Sequence, residues 1–346
     1  MAYPSLKRSS DKGSTLGMKK FINRPEKIVA ELLEGFALSH PRIVRLVGNN
    51  LIARAETKET GKVALVTLGG SGHEPGLSGF VGQGMLDVSV AGEIFAAPGA
   101  PRCLEAIRLA DRGAGVLFVV LNHAGDILSA NMTMSMAARE GLKVKKIVTH
   151  EDIAGGPNPD DRRGLVGFLP VYKVAGAAAE EGRSLDECFQ VATRMECNMR
   201  TLAVALTTAT HPSTGQPIFS LANDEMEIGM GQHGEAGTGR MKLKSADETA
   251  EVMLQLLLED LKVEPRENLL VIVNGAGATT LMELFIVFRR VHQILEQKQI
   301  RLVRSKVGEF ITTQEQGGFQ LMIARMDEEL LRLWDAPCNT PYFVMV

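Results

Sequence analysis

The spacing of apolar residues changes along the chain, and each spacing predicts a type of secondary structure. Short runs rich in apolar residues, typical of strands, occupy residues 62–68, 115–121, 143–149, 201–207, 268–273, 301–307 and 318–325. Apolar residues three and four positions apart, typical of helices, occupy residues 28–36, 104–114, 132–140, 171–181, 185–198, 247–261 and 281–296, with a short helix ending at Trp334. Strands and helices therefore alternate through most of the chain.

The order of these elements predicts the fold. In the first half, strands alternate with helices, which is the pattern of βαβ units with a parallel sheet and helices on both faces. We therefore predict an α/β protein of two domains, an N-terminal parallel-sheet α/β domain over residues 18–198 and a C-terminal α+β domain over residues 199–346. Residues 1–17 are polar and small, and we expect them to form a mobile extension.

Length and composition limit the classes of protein to which this chain can belong. At 346 residues, 45% hydrophobic and 23% charged, the chain has the composition of an ordinary globular protein with more than one core. A net charge of -3 gives no basic surface for nucleic acid or for a membrane, so the expected ligand is small. Four separated cysteines without a CxxC pair, and the absence of a secretory or membrane-spanning run, predict a cytoplasmic protein.

The stretch from Asn223 to Gly237 places His233 among glycines. Each glycine costs a strand or helix roughly 0.5–1 kcal/mol relative to alanine, so a cluster of glycines usually marks backbone that lies against something. A ligand could therefore approach the His233 ring closely. Four acids surround this histidine in sequence and would help to orient its imidazole: Asp224, Glu225, Glu227 and Glu235. A flexible, solvated acidic loop with an incidental histidine is the alternative interpretation.

Two loops that follow predicted strands offer further polar groups. Residues 69–75 (GGSGHEP) expose backbone N–H groups and carry His73, a titratable side chain, with Glu74 as a candidate orienting carboxylate. After the next strand, Asp126 is a candidate general base, although the cap of the following helix is the more common role for such a residue. His123 in the same loop is a candidate hydrogen-bond donor or an ordinary loop histidine.

Other motifs can be tested on the same letters. A nucleophile elbow, G-x-S-x-G, fails because His73 lies two residues after Ser71, and H-E-x-x-H fails because Leu77 replaces its second histidine. No GK[ST] sequence is present, so we do not expect nucleotide binding of the P-loop type. Residues 229–234 fit G-x-G-x-x-G but neither follow a strand nor open a helix. No metal-ligand spacing is evident, so neither a metal nor a cofactor is expected in this chain.

Five motifs occur in a fixed order: GGSGHEP, GQGMLDVSVAGEIFAAP, the Gly125-Asp126 pair, NDEMEIGMGQHGE and the closing LWDAP. Together they resemble the motifs of the K subunit of bacterial dihydroxyacetone kinases. The match runs from about Met18 to the end of the chain. This resemblance implies two α/β domains, a homodimer, and a substrate bound between the motifs.

The resemblance also implies a role for each matching residue. His233 matches the histidine that bonds covalently to the ketone carbon as a hemiaminal, so the site would hold a short ketose and reject glycerol, which has no carbonyl. His73 and Asp126 match the polar pair that engages the substrate hydroxyl and assists its attack on the phosphoryl group. The turn that holds a substrate oxygen is matched by Gly70, Ser71 and Gly72.

By the same resemblance, the nucleotide is expected on a second protein. An L-type subunit would bring ATP, or ADP recharged by a phosphotransferase-system protein, together with magnesium. The substrate would be dihydroxyacetone or a related short ketose such as erythrulose. The alternative is a ketose-binding regulatory paralogue that keeps His233 without transferring phosphate. The presence of both His73 and Asp126 favours the enzyme, since capture alone needs neither.

The chain departs from the usual letters of the family in two motifs, and three of the changed positions bear on the site. Leu68 replaces the first glycine of GGGSGHEP, Leu121 replaces the substrate-contacting lysine of KNYTGD, and His123 replaces the tyrosine of that motif. A leucine cannot donate a hydrogen bond to a ketose oxygen. We therefore predict an altered ketose preference, unless Leu121 simply ends its strand and packs inward with the pocket otherwise unchanged.

Overall fold

The computed structural model describes residues 19–235, 237 and 239–346, so the extension predicted at residues 1–17 lies outside the described residues. The strands of the first half are β1 (Val44–Val47), β2 (Leu51–Arg54), β3 (Ala64–Ser71), β4 (Val88–Ile94), β5 (Val116–Leu121) and β6 (Val144–Thr149). The helices of this half are α1 (Ile28–Ser39), α2 (Ala100–Ala110), α3 (Ala124–Arg139), α4 (Phe168–Glu180) and α5 (Leu185–Cys197).

These six strands form one sheet in the order β1-β2-β4-β3-β5-β6. The strands β4, β3, β5 and β6 run parallel, as the sequence predicts, whereas β1 and β2 add an antiparallel edge. Helices α2 and α3 pack on one face, and α4 and α5 pack on the other. Every residue of β5 is therefore buried, because a parallel sheet with both faces covered has no solvated side.

The second half builds a second sheet from β7 (Met199–Ala205), β8 (Glu225–Ile228), β9 (Gly239–Lys242), β10 (Asn268–Gly275), β11 (Arg301–Gly308) and β12 (Gly318–Arg325). Its order is β11-β10-β12-β7-β8-β9, with β10 and β11 parallel and the other pairs antiparallel. The remaining elements are α6 (Ala246–Leu261), α7 (Leu281–Gln297), α8 (Glu328–Asp335), β13 (Cys338–Asn339) and β14 (Val344–Met345). The predicted fold class, α/β with an N-terminal parallel sheet and a C-terminal α+β part, is confirmed.

Helix α4 belongs to the cores of both halves. Every residue from Phe168 to Ala179 is buried, and the helix shares one apolar cluster with Leu65 of β3 and Leu270 of β10. Even Lys173 is fully buried, with its ammonium group donating to the Leu333 carbonyl oxygen at 2.8 Å. The domain boundary predicted near residue 198 stays a prediction, since this helix joins the two sheets. Within the described residues, none of the helices combines the length and apolar character needed to cross a membrane.

The pattern of apolar residues did not predict several strands. The strands β1, β2, β8 and β9 are each only four residues long, too short for a spacing to be recognised, and Ser89 and Gly92 interrupt the apolar run of β4. The expectation for helix α3 is wrong at its start, which lies at Ala124 and not at residue 132. The letters AGDILSAN mix small, polar and apolar residues, so their helical spacing is weak. The earlier start places Asp126 in the first turn of a helix.

Candidate functional site

A cavity of about 240 Å³ lies where the carboxyl ends of β3 and β5 meet the loop that follows β8. Its walls are the end of β3 and the turn after it, the segment after β4, the end of β5 and the first turn of α3. The loop after β8 adds Gln232, His233 and Glu235, and the β11–β12 loop adds Ile311. The cavity brings together His73, Asp126 and His233, which come from three separate loops of the sequence. The three residues that we expected to carry the chemistry therefore share one site.

The end of β3 and the turn after it place some of the predicted residues at the cavity and others away from it. Gly70 forms a bulge against β4, and a Cβ atom there would lie 2.8 Å from the backbone nitrogen of Ala96, so the position requires glycine. Gly70 lines the cavity, whereas Ser71 and Gly72 are not among its lining residues in the described chain. The Ser71 hydroxyl donates to the Gly92 carbonyl oxygen at 2.8 Å. A role for Ser71 and Gly72 in substrate binding stays a prediction.

His73 faces the cavity as a hydrogen-bond acceptor. Its Nδ1 atom lies 2.6 Å from the carbonyl oxygen of Thr312, and because a carbonyl only accepts, Nδ1 carries the ring proton. Burial, helped by the charge of His233, lowers the pKa of His73 to about 3. The ring is therefore neutral at neutral pH, with the lone pair of Nε2 directed to the cavity.

His233 lies opposite, on the glycine-rich loop. Its Nε2 atom is 3.0 Å from Nε2 of His73, and its Nδ1 atom is 3.2 Å from Oε1 of Glu235. Since Nε2 of His73 has no proton, the Nε2–H of His233 is the donor between the two rings. Burial by itself would raise the pKa of Glu235, but the hydrogen bond and charge of His233 outweigh it and hold that pKa well below its usual range. An ionised carboxylate therefore orients the His233 ring.

Of the four acids near His233 in sequence, Glu235 is the one that contacts its ring in the described residues. The others have different partners: Asp224 forms an ion pair with a lysine of β9, and Glu225 and Glu227 accept backbone N–H groups. The prediction that all four acids orient the imidazole is therefore wrong for three of them. These three acids are close to His233 in sequence, but they bind groups in and beside the β8–β9 hairpin and not the ring of His233.

Asp126 forms the third corner of the site. The residue that precedes α3 is His123, whose side chain makes no cap hydrogen bond, and Asp126 lies inside the first turn, so the alternative role of Asp126 as the helix cap is wrong. Its side chain is buried, and in the described part of the chain its Oδ1 atom has no hydrogen-bond partner. Burial raises the pKa of Asp126 to about 7, although the charge of His233 lowers it in part. An unpaired buried carboxylate at a cavity wall is suited to accept a hydroxyl group.

Two of the residues that depart from the family motifs, Leu121 and His123, line the cavity. Leu121 ends β5 and is 3% exposed, so it forms an apolar wall. His123 donates from Nε2 to the Gly164 carbonyl oxygen at 2.9 Å, which leaves Nδ1 with a free lone pair. Its ring stands edge-on to that of His233, with the ring centroids 5.3 Å apart. Burial, together with the charge of His233, lowers the pKa of His123 to about 4.

Sequence reasoning assigned no role to Phe95, although it quoted the motif that contains it. The ring of Phe95 packs against both catalytic candidates, with centroid distances of 5.1 Å to His73 and 5.8 Å to His233. Its backbone adopts a φ of 56°, which is unusual for a bulky residue and turns the ring into the site. The missed strand β4 delivers this residue, so no periodic signal pointed to it.

Arg163 is a second residue that the sequence did not single out. Its guanidinium group pairs with the buried carboxylate of Asp152 at 2.7 Å and donates to the carbonyl oxygen of Gly229 at 2.6 Å. A Cβ atom at Gly231 would collide with this guanidinium group. Arg163 therefore ties the loop of residues 151–163 to the loop that carries His233. The letters indicated only a polar loop, since an arginine's partner cannot be read from its own sequence neighbours.

Comparison with known proteins extends these observations. Residues 34–342 match the Dak1 domain. The chain is 35% identical over 328 residues to the PTS-dependent dihydroxyacetone kinase 2, dihydroxyacetone-binding subunit DhaK, of Listeria innocua, covering 94% of this chain and 99% of that protein. It is 36% identical over 332 residues to the L-erythrulose kinase of Pectobacterium atrosepticum, covering 94% of this chain and 56% of that longer protein.

A solved structure shares the fold over most of the chain. The dihydroxyacetone kinase operon co-activator Dha-DhaQ superposes with a TM-score of 0.87 at 31% identity, covering 91% of this chain and 98% of that one. The relatives therefore include kinase subunits, a longer kinase and a co-activator. On the domain match, the identities and the shared fold, the chain belongs to the Dak1 family, which includes the dihydroxyacetone-binding K subunits of bacterial dihydroxyacetone kinases.

Proposed function

We propose that this chain is the ketose-binding subunit of a dihydroxyacetone-type kinase. One observation carries the proposal: a nucleophilic ring, His233, an acceptor ring, His73, and a buried carboxylate, Asp126, meet in one cavity of about 240 Å³. A cavity of this size suits a ketose of three or four carbons, such as dihydroxyacetone or erythrulose. The names of relatives, a dihydroxyacetone-binding subunit and an erythrulose kinase, support this substrate class.

The ketose is held on His233 as a hemiaminal. Nε2 of His233 adds to the carbonyl carbon, the N–C bond forms, and the π electron pair of the carbonyl moves to its oxygen. Before it adds, Nε2 gives the proton that it holds against His73 to a water molecule, which frees its lone pair, and the carbonyl oxygen takes a proton back from water after the addition, so atoms and charge balance. The ionised carboxylate of Glu235, 3.2 Å from Nδ1, stabilises positive charge on the ring before and after the addition.

Asp126 and His73 then act on a terminal hydroxyl of the captured ketose. A carboxylate oxygen of Asp126 takes the hydroxyl proton while the hydroxyl oxygen forms a bond to the phosphorus atom and the nucleotide oxygen leaves. A pKa of about 7 suits a general base near neutral pH. Once Nε2 of His233 is bonded to carbon, the lone pair on Nε2 of His73 is free to accept a hydrogen bond from the substrate.

The phosphoryl group comes from a partner protein. An L-type subunit carries ATP, or ADP recharged by a phosphotransferase-system donor, with its Mg²⁺, and this chain holds none of these groups in the kinase reaction. The name of the Listeria relative, a subunit of a PTS-dependent kinase, supports this arrangement. A homodimer of this chain remains part of the proposal.

A second function is supported by one observation, the similarity to a solved co-activator at a TM-score of 0.87. In that case the chain would capture a ketose and report its presence without transferring phosphate. The buried, unpaired carboxylate of Asp126 favours the kinase, because hemiaminal formation at His233 does not need it.

The test follows the ketone carbon and the phosphate separately. With dihydroxyacetone labelled by ¹³C at its carbonyl carbon, capture should move the signal from the carbonyl region to that of a tetrahedral carbon. With an L-type partner of proven activity, ATP and Mg²⁺, the captured ketose should become phosphorylated, and without the partner no product should form. Capture without turnover for any ketose tested would support the co-activator function, and no capture of any ketose would refute both.

A further inference from the structure

Three side chains of types that can bind a metal ion converge in the lining of the cavity, although no spacing in the sequence indicated such a cluster. One ligand atom from each of His123, His233 and Glu235 lies within 4.8 Å of the others. His123 stands at the start of α3, whereas the other two come from the loop after β8. The tertiary fold alone brings them together, which is why sequence reasoning expected no metal site.

The hydrogen bonds of these residues leave the right atoms free for a metal ion. His123 donates its Nε2–H to the Gly164 carbonyl oxygen, so Nδ1 is its available nitrogen. His233 donates its Nε2–H to His73, so its Nδ1, whose proton lies against Oε1 of Glu235 at 3.2 Å, is the nitrogen that a metal ion would take by displacing that proton. Histidines that bind metals commonly donate their second ring N–H to a backbone carbonyl or a similar acceptor. Both rings therefore already have the outer hydrogen bond that orients a metal ligand.

We propose that this cluster binds Zn²⁺ through Nδ1 of His123, Nδ1 of His233 and a carboxylate oxygen of Glu235. Two imidazole nitrogens and one carboxylate oxygen are a donor set that zinc takes in open sites, where water completes the coordination. Tetrahedral zinc with bonds of about 2.0 Å holds its ligand atoms about 3.3 Å apart. The 3.2 Å between His233 Nδ1 and Glu235 Oε1 is close to that separation. The adjoining cavity of about 240 Å³ has room for the water.

Zinc and ketose exclude each other at this site, an inference that rests on the proposed function. With the metal on Nδ1 of His233, Nε2 carries the only proton of the ring, and its loss would leave an anionic ring, so Nε2 stays in the protonated form that cannot add to a carbonyl carbon. A hemiaminal likewise removes the Nε2–H that His73 accepts, so the ring loses the hydrogen bond that holds it for the metal. By linkage, each ligand weakens the other by the same factor.

The metal site is tested first without any ketose. The protein is titrated with Zn²⁺ against a chromogenic chelator, and with Co²⁺, whose visible bands report four-coordinate binding. We expect one equivalent per chain and a loss of at least about 100-fold in affinity in His123→Phe and in Glu235→Gln. The matched control is His292→Ala, which removes the histidine of an exposed His292–Glu296 pair on α7 and should change nothing. Equal affinity in His123→Phe, or a loss in the control, would overturn the proposal.

Competition is then measured by the ¹³C signal of captured dihydroxyacetone. In the unmodified protein, one equivalent of Zn²⁺ should reduce the captured fraction at subsaturating ketose. In His123→Phe, the captured fraction should be the same with and without zinc, whatever its absolute level. If zinc binds as expected but no capture occurs in its absence, the proposed function fails while the metal site stands. If zinc binds and capture is unaffected by it, the exclusion is refuted.

Discussion

The two histidines that meet in the cavity belong to regions of different character. His73 is 6% exposed, follows a buried strand, and donates to a backbone carbonyl. The side chain of His233 is 29% exposed, lies among glycines, and contacts Glu235, whose own side chain is 42% exposed. The first ring is fixed by the parallel sheet, and the second is held by a few side-chain contacts on a loop.

This difference fits two separate tasks. Groups that transfer a proton must hold their positions to a fraction of an ångström, and the ends of buried strands and the first turn of a helix provide such positions. A residue that bonds to the substrate and releases it benefits from a loop that can approach and withdraw. We therefore expect changes in the strand-end wall to affect turnover, and changes in the loop to affect capture.

The largest effect should come from His233→Ala. Removing the nucleophilic nitrogen should abolish the tetrahedral ¹³C signal of captured dihydroxyacetone, while the thermal midpoint changes little because the ring is partly exposed. His73→Ala is the matching change in the wall and should keep the signal. If both variants lose the signal, or if His233→Ala keeps it, the hypothesis that the loop captures the ketose while the wall serves turnover is wrong.

The next effect should come from Asp126→Asn, which removes the proposed base without changing its size. We expect kcat to fall by about 10²–10⁴-fold while capture persists, the range that a positioned general base contributes. In the unmodified protein, the rate should fall about tenfold per pH unit below the pKa of about 7, because only the ionised carboxylate accepts a proton. The variant should lose this dependence. A pH profile that stays unchanged in Asp126→Asn would exclude Asp126 as the base.

Stability provides a control for that variant. The folded pKa of Asp126 is raised from 3.8 to about 7, so between these values the folded protein binds more protons than the unfolded chain. This carboxyl group therefore costs stability as the pH rises through that window. Asp126→Asn should melt at a higher temperature than the unmodified protein at pH 8, and this advantage should disappear near pH 4.

A smaller effect is expected from the arginine that joins the two regions. Arg163→Lys keeps a positive charge beside Asp152 but loses the planar fork that also reaches the Gly229 carbonyl oxygen. We expect ketose capture to weaken about tenfold with kcat little changed, because the loop is less well placed while the wall is intact. The neighbouring Arg162→Lys is the matched control, since Arg162 pairs with Asp260 instead. Equal effects from the two changes would show that Arg163 has no special role.

The same comparison explains how far the sequence could predict the site. Alternating strands and helices indicated the parallel sheet, and the loops at its strand ends contain His73 and Asp126, because ligand sites collect at that edge. The glycines around His233 indicated a close approach of the backbone. These signals are local in sequence, so they can be read without a structure.

Contacts between distant segments gave no such signal. His73 and His233 are 160 residues apart, and His123 meets its partner Gly164 at a separation of 41 residues. The proposed zinc ligands and the contact between Arg163 and Gly229 join segments that lie far apart in the sequence, and Phe95 follows a strand that has no periodic pattern. Contacts between residues that are distant in sequence follow from the whole fold, so no single stretch of the sequence could predict them.

The smallest effect concerns specificity, where the wall itself departs from the family motif. Leu121 lines the cavity and cannot donate to a ketose oxygen, and an unpaired buried polar group costs about 1–3 kcal/mol. Restoring the usual residues with Leu121→Lys and His123→Tyr should therefore raise kcat/KM for dihydroxyacetone relative to erythrulose, by roughly fivefold for about 1 kcal/mol.

The assay needs an L-type partner of proven activity and both ketoses side by side. His123→Tyr alone serves as the control, because it changes the ring opposite His233 without supplying the ammonium donor of the double variant. A ratio that moves only in the double variant assigns the preference to Leu121, at the end of the rigid strand β5. If the ratio is the same in all three proteins, Leu121 acts only as a core residue. Specificity would then lie in the loop that carries His233.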